Sequence, residues 1–120
     1  MRDDGTLAPT AAAGSLPFAP EVVLPALLEM RLRYGDRLFG QYGFLDAFNP
    51  TYRFATRAQH GVIVADTGWF DTDYLGIDQG PILAMSANYR SDLVWKYMRK
   101  SPYLVTGLKR AGFSGGWLTP

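Results

Sequence analysis

Gly68-Trp69-Phe70-Asp71-Thr72-Asp73-Tyr74-Leu75-Gly76-Ile77-Asp78-Gln79-Gly80-Pro81 concentrates most of the chemistry in this chain. Three carboxylates, three aromatic rings, three glycines and a glutamine fall in one short run. Pro81 predicts a helix start, because the first helical turn has no intrahelical partner for a backbone N–H. Asp78 and Gln79 then stand just before the helix, where unpaired N–H groups and the dipole favour an anionic or hydrogen-bonding side chain. Two readings follow. Asp78 caps the helix while Trp69, Phe70 and Tyr74 fill core, as Asp at helix starts often does. Alternatively, a carboxylate on a loop beside aromatic faces serves a neutral, hydroxyl-rich ligand such as a sugar.

Working outward, Pro9 offers a helix start and Thr10-Ala11-Ala12-Ala13 forms helix readily. Gly14, Ser15 and Pro17 keep it short, and its small residues predict burial. The turn-like Asp3-Asp4-Gly5-Thr6 leads into it and could face a cleft. Pro20 to Tyr34 reads as the best long helix. Val23, Leu27, Met30 and Tyr34 share a face that Leu24, Leu28 and Leu32 widen, and Gly35 supplies the stop. Gly35 to Pro50 reads as a loop in which Tyr42, Phe44 and Phe48 flank Asp46, with Asn49-Pro50 as a closing turn. Tyr52-Arg53-Phe54 and Val62-Ile63-Val64 are the strand-like runs, joined as a hairpin through Gln59-His60-Gly61.

Beyond Pro81, Ile82, Leu83, Met85, Ala87 and Tyr89 predict a buried helix. Asn88 and Arg90 near its end can bond the last carbonyls. Ser91-Asp92 caps the next helix, where Leu93, Val94, Tyr97 and Met98 oppose Lys96, Arg99 and Lys100. Ser101-Pro102 opens a third helix, which Gly112 and Phe113 close as a C-cap with a hydrophobic contact. Ser114-Gly115-Gly116 reads as a loosened tail.

Composition bounds the class. The 120 residues are enough for one domain, and 48% hydrophobic with 14% aromatic residues is a globular composition. A net charge of +1 with no basic run argues against a nucleic-acid surface. The chain has no cysteine, hence no disulfide framework or thiolate site, and its one histidine, His60, reads as a surface residue. Residues 1–6 are polar and do not read as a signal peptide, and no apolar run approaches a membrane span. Asp71, Asp73 and Asp78 offer oxygen ligands, but their spacing departs from an EF-hand loop. Neither a metal nor a cofactor is assigned.

Four ordered segments carry a resemblance. They are Asp4-Gly5-Thr6 with Ala8-Pro9-Thr10 through Pro20-Glu21, then Tyr42-Gly43-Phe44-Leu45-Asp46-Ala47-Phe48-Asn49-Pro50-Thr51, then Gly68 to Pro81, then the region of Asn88-Tyr89-Arg90. Together they resemble the bacterial glucoamylase-like family, which includes beta-1,2-glucanases and the C-terminal region of cyclic beta-1,2-glucan synthases. The resemblance implies a mainly α fold: a partial (α/α) toroid of helical hairpins with a small β-hairpin insertion. It implies that residues 1–120 are one domain, the C-terminal portion of a longer one. It implies a glycoside hydrolase acting on beta-glucan, beta-1,2-linked by preference, and a periplasmic or extracellular setting.

Hydrolysis of that kind usually needs two carboxyl groups flanking the bond. Asp78, Asp46, Asp71 and Asp73 are the supply here, and no glutamate lies in a site-like loop. Asp78 is the candidate catalytic contributor, better suited as base or hydroxyl binder than as acid. Tyr42, Asp46, Trp69, Tyr74 and Gln79 are the candidate sugar-binding residues, with the proton donor expected outside this chain. The expected partner is a glucan oligosaccharide or polysaccharide. The other reading is a non-catalytic carbohydrate-binding or structural remnant of a cyclic glucan synthase. Either way, buried-type helices without neighbours predict exposed apolar surface and self-association.

Overall fold

The computed structural model describes residues 4–54 and 57–118. Asp3 of the first turn, with Met1 and Arg2, lies outside them. In chain order there are α1 (Pro9–Gly14), α2 (Pro20–Tyr34), β1 (Phe39–Gly40), β2 (Gly43–Phe44), β3 (Phe48–Asn49), β4 (Val62–Val64), β5 (Gly68–Phe70), α3 (Gly76–Ser91), α4 (Leu93–Met98) and α5 (Pro102–Arg110). The described chain is about half helical, with two small antiparallel sheets. It divides into two compact units, residues 1–86 and 87–120.

In the first unit α1 and α2 pack together, both opened by a proline in the first turn. Pro9, Thr10 and Ala13 are buried as expected. The Gly35 N–H closes α2 on the Arg31 carbonyl. β1 and β2 form a tight hairpin around Gln41 and Tyr42, in a segment that reads as loop. β5 is the middle strand of the other sheet, pairing with β3 on one side and β4 on the other. The core gathers under it. Leu38, Phe48 and Phe70 are buried, with Met30, Tyr34, Phe44 and Val64 packed against them. The Phe48 and Phe70 rings stack at 5.9 Å and Tyr34 tilts against both.

Four expectations need correction here. Val62–Val64 is a strand, but it pairs with Gly68–Phe70 and not with Tyr52–Phe54. Residues 65–67 make the shorter connection, so the opening of the central stretch is strand and not loop. The helix starts at Gly76, before Pro81, which lies inside it. The first bonds, Asp78 N–H and Gln79 N–H to the Leu75 carbonyl, form without Pro81, which removes only the donor for residue 77. Leu28 and Leu32 on α2, and Leu83 on α3, do not join a core: they are 59%, 72% and 74% exposed. One flank of α2's apolar face meets the chain's own residues and the other does not.

In the second unit, Asp92 does not cap α4 with its side chain, which instead pairs with Arg99 through two bonds of 2.7 and 3.1 Å. The Asn88 Oδ1 takes the capping role, accepting from the Trp95 N–H at 3.0 Å. Asn88 thus caps the next helix. The close of α5 matches expectation. Gly112 N–H reaches the Lys109 carbonyl and Phe113 N–H the Leu108 carbonyl, the paired bonds of a Schellman motif. The tail is less loose than read: Gly116–Leu118 forms a 3₁₀ turn.

Asn49, which reads only as a turn residue, is a buried hub. Its Nδ2 donates to the Asp4 carbonyl (2.8 Å) and to Thr6 Oγ1 (3.3 Å). Its Oδ1 accepts from Thr51 N, Thr51 Oγ1 and Tyr52 N. Asn49→Ala removes all five hydrogen bonds of a buried amide. It is expected to cost about 2–3 kcal/mol in urea unfolding. A loss of only a few tenths would contradict this role.

Candidate functional site

The sheet ladder continues past its strand ends and gathers the acidic residues. Asp71 N–H donates to the Ala47 carbonyl at 2.9 Å and Asp46 N–H to the Asp73 carbonyl at 3.2 Å. Thr10 Oγ1, from buried α1, donates to the Asp46 carbonyl. Asp71 turns inward on its own loop, with Oδ1 accepting from Thr72 N–H and Asp73 N–H. Asp78 arrives from the first turn of α3, where the dipole stabilises negative charge.

The carboxyls of Asp46 and Asp78 meet. Asp46 is held above its ordinary value of 3.8, first by burial, then by hydrogen bonding to Asp78 and by its charge, with Asp71 and Asp73 adding repulsion. Asp78 Oδ2 is buried, with no donor among the described residues. A proton kept on Asp46 would give Asp78 that donor, and so would a ligand hydroxyl. The sequence offers Asp46 only as a sugar-binding carboxylate; the fold makes it a carboxyl that burial raises.

The aromatic and amide groups attach to the β1–β2 hairpin. Tyr42 N–H lies 3.5 Å from Tyr74 Oη, and the two rings meet edge to face at 5.4 Å. A Cβ on Gly40 would stand 2.3 Å from Tyr74 Oη, so only glycine lets that hydroxyl seat on the hairpin. Gln79 Nε2 donates to the Phe44 carbonyl at 2.9 Å. Gln79 therefore ties the hairpin to α3, and its amide nitrogen is already engaged. The Tyr42 ring is 69% exposed, as a stacking surface needs to be. Tyr42 and Gln79 line one pocket of about 320 Å³ with Phe39, Phe44 and Ile82. Trp69 lines another, of about 290 Å³, with Asp4, Thr6 and Asn49. Five of the six site residues thus lie around the hairpin and the start of α3, and Trp69 belongs to a separate pocket. The Asp4–Thr6 turn does face a pocket, with Thr6 N–H bonded to Asp4 Oδ1.

The sign of the Asp46 shift gives a pH prediction. The folded chain keeps a proton that the unfolded chain releases. Stability therefore falls as pH rises from 3.8 through the raised folded value, and levels above it. Asp46→Asn is expected to flatten that part of the profile. Urea midpoints measured from below 3.8 to neutrality check it, and an unchanged slope would refute it.

Carboxylates and exposed rings are set on a domain that is about half helical with small antiparallel sheets. The particular family follows from direct comparison. A family model, Glycoamylase ("Putative glucoamylase"), matches residues 1–102, and the chain belongs to that family. An exo beta-1,2-glucooligosaccharide sophorohydrolase of Parabacteroides distasonis is 33% identical over 109 residues, 91% of this chain and 13% of the relative. An endo-beta-1,2-glucanase structure from Chitinophaga pinensis, in complex with sophorotriose and glucose, superposes with a TM-score of 0.72 at 36% identity. That match covers 96% of this chain and 24% of the other. A beta-1,2-glucanase from P. distasonis gives 0.71 at 33% identity, over 90% and 13%. The chain therefore spans between about an eighth and a quarter of the length of these relatives. No helix among the described residues is long and apolar enough to cross a membrane.

Proposed function

We propose that this chain is part of a glycoside hydrolase domain acting on beta-1,2-linked glucan, contributing sugar-binding surface and one face of the catalytic machinery. The observation that carries the reading is the Asp46–Asp78 carboxyl pair, with the exposed Tyr42 ring on the hairpin that Gln79 ties to the same helix. The relatives' substrates supply the linkage. Residues 1–120 are read as the C-terminal portion of the domain, and the helices as part of an (α/α) toroid.

We read the pair as supplying one side of the reaction and not both carboxyls. Hydrolysis needs two carboxyls ~5–5.5 Å apart for retention or ~6.5–9.5 Å for inversion, so that the bond or a water fits between, whereas Asp46 and Asp78 interact with each other directly. Asp46 and Asp78 work as one unit, with Asp78 as base or hydroxyl acceptor and Asp46, raised by burial and by Asp78, as its immediate neighbour. The acid that protonates the glycosidic oxygen comes from elsewhere in the domain. Tyr42 stacks on a sugar ring, and Tyr74 and Gln79 hold the hairpin that carries it. The exposed flanks of α2 and α3 dock the neighbouring helices of the toroid, and a chain lacking them self-associates through those flanks.

Calorimetric titration of the 120-residue chain with linear beta-1,2- and alpha-1,4-gluco-oligosaccharides tests this. The beta-1,2 series is expected to bind. Equal or better binding of the alpha-1,4 series would overturn the linkage.

A further inference from the structure

The charge of this chain is divided unevenly. Residues 87–120 hold six basic residues, Arg90, Lys96, Arg99, Lys100, Lys109 and Arg110, against one acid, Asp92, for a net charge of +5. Residues 1–86 hold six basic and ten acidic residues, for a net charge of −4. The near-neutral total therefore hides a basic segment, and such asymmetry points to an anionic partner surface. Asp92 is already taken by Arg99. The other five cations are exposed and, among the described residues, make no ion pair.

α4 sets this charge beside apolar surface. One flank is used within its own unit: Trp95, Met98 and Arg99 line a pocket of about 240 Å³ with Leu104 and Leu108 of α5 and with Trp117. On the other flank Leu93, Lys96 and Tyr97, with Lys100 in the turn that follows, recur at the i, i+3, i+4, i+7 spacing of one helix face. Leu93 is 47% and Tyr97 66% exposed. Lys100 Nζ stands 5.6 Å from the Tyr97 ring centroid, so the cation lies beside the ring and does not oppose it across the helix as the sequence suggests.

Lysines interleaved with an aliphatic side chain and a phenol suit a lipid surface. Leucine enters the apolar boundary, tyrosine rests at headgroup depth, and lysine stems carry their ammonium groups back to phosphate. We infer that the Leu93–Lys96–Tyr97–Lys100 face of α4 docks the chain on the surface of an anionic membrane. Charge complementarity argues for this occupant, each cation brought near such a surface being worth about fivefold in affinity. A nucleic acid would meet the same cations and leave Leu93 in water. The inference goes beyond sugar binding and does not rest on it.

Flotation of the 120-residue chain with vesicles tests this, because bound chain rises with lipid while self-associated chain sinks. Vesicles of phosphatidylcholine alone are compared with an equal mixture of phosphatidylcholine and phosphatidylglycerol. The chain should float with the anionic vesicles only, and salt of about 1 M, which screens charges beyond about 3 Å, should release it. Lys96→Gln combined with Lys100→Gln should weaken binding about 25-fold. Arg37→Gln combined with Arg57→Gln removes the same charge from residues 1–86 and should leave binding unchanged. Leu93→Ser should weaken binding at unchanged charge. Equal losses in the two double variants, an unaffected Leu93→Ser, equal flotation with neutral vesicles, or no flotation of a folded chain would each overturn the inference. So would tighter binding to duplex DNA than to the anionic vesicles. Light scattering in which the lysine variant dissociates a dimer that no vesicle captures would assign the face to a second copy instead.

Discussion

Gly68→Ala is expected to lose the three-stranded sheet, a large stability effect for a single methyl group. The added Cβ would stand 2.3 Å from the Asn49 carbonyl oxygen and 2.6 Å from Pro50 Cα. Both are backbone atoms held in the β3–β5 pairing, so neither can swing aside. Gly68 also has a φ of +129°, which side chains rarely adopt. Backbone strain of about 1–3 kcal/mol adds to overpacking of about 1–3 kcal/mol. The sum, about 2–6 kcal/mol, reaches the whole stability of a small domain at its upper end. Gly76→Ala is the matching control. Gly76 opens α3, has open space around its Cβ position and no positive φ. Alanine there should be neutral or stabilising by about 0.5–1 kcal/mol. Urea unfolding of the two variants side by side checks the contrast. Equal effects would mean the sheet does not depend on the close approach at Gly68.

Asp78→Asn should separate binding from stability, moving them in opposite directions. The amide keeps the side-chain volume and removes the repulsion that helps hold Asp46 up. The folded chain should be as stable as the wild type or more so, and the Asp46 pKa should drop part of the way back. It should not drop all the way, because burial is the larger cause. Sugar binding loses a charged acceptor worth about 1.5–3 kcal/mol, or roughly 10–100-fold in Kd. Calorimetry and thermal unfolding on one preparation read both quantities. Weaker binding with lower stability would make Asp78 a structural residue.

Much of this was legible before any coordinates. Proline-opened helices at Pro9, Pro20 and Pro102 carry local signals, and Gly112-Phe113 specifies its own C-cap. These are short-range effects that a few residues encode. The failures are long-range. Gly68-Trp69-Phe70 has no alternating pattern to mark it as a strand, because a central strand is defined by partners on both sides. The β1–β2 hairpin is two residues per strand, too short for any period. Asn49 had a usable signal, since an Asn side chain that bonds N–H groups two and three residues on is an Asx-turn habit. Its reach to Asp4, 45 residues away, had none. For the site, the sequence selected residues that the fold brings around one hairpin. It could not separate Trp69, because strand alternation sends neighbours in a sequence run to different faces. Nor could it tell that burial raises the Asp46 carboxyl.

The central claim is that this chain binds beta-1,2-glucan through a carboxyl pair that cannot cleave it alone. The most direct test incubates the folded 120-residue chain with linear beta-1,2-gluco-oligosaccharides, and measures heat of binding and new reducing ends in the same sample. The account predicts binding that Asp78→Asn weakens, and no new reducing ends. New reducing ends made by the wild-type chain and absent with Asp78→Asn would contradict it, as would a folded chain that binds no oligosaccharide.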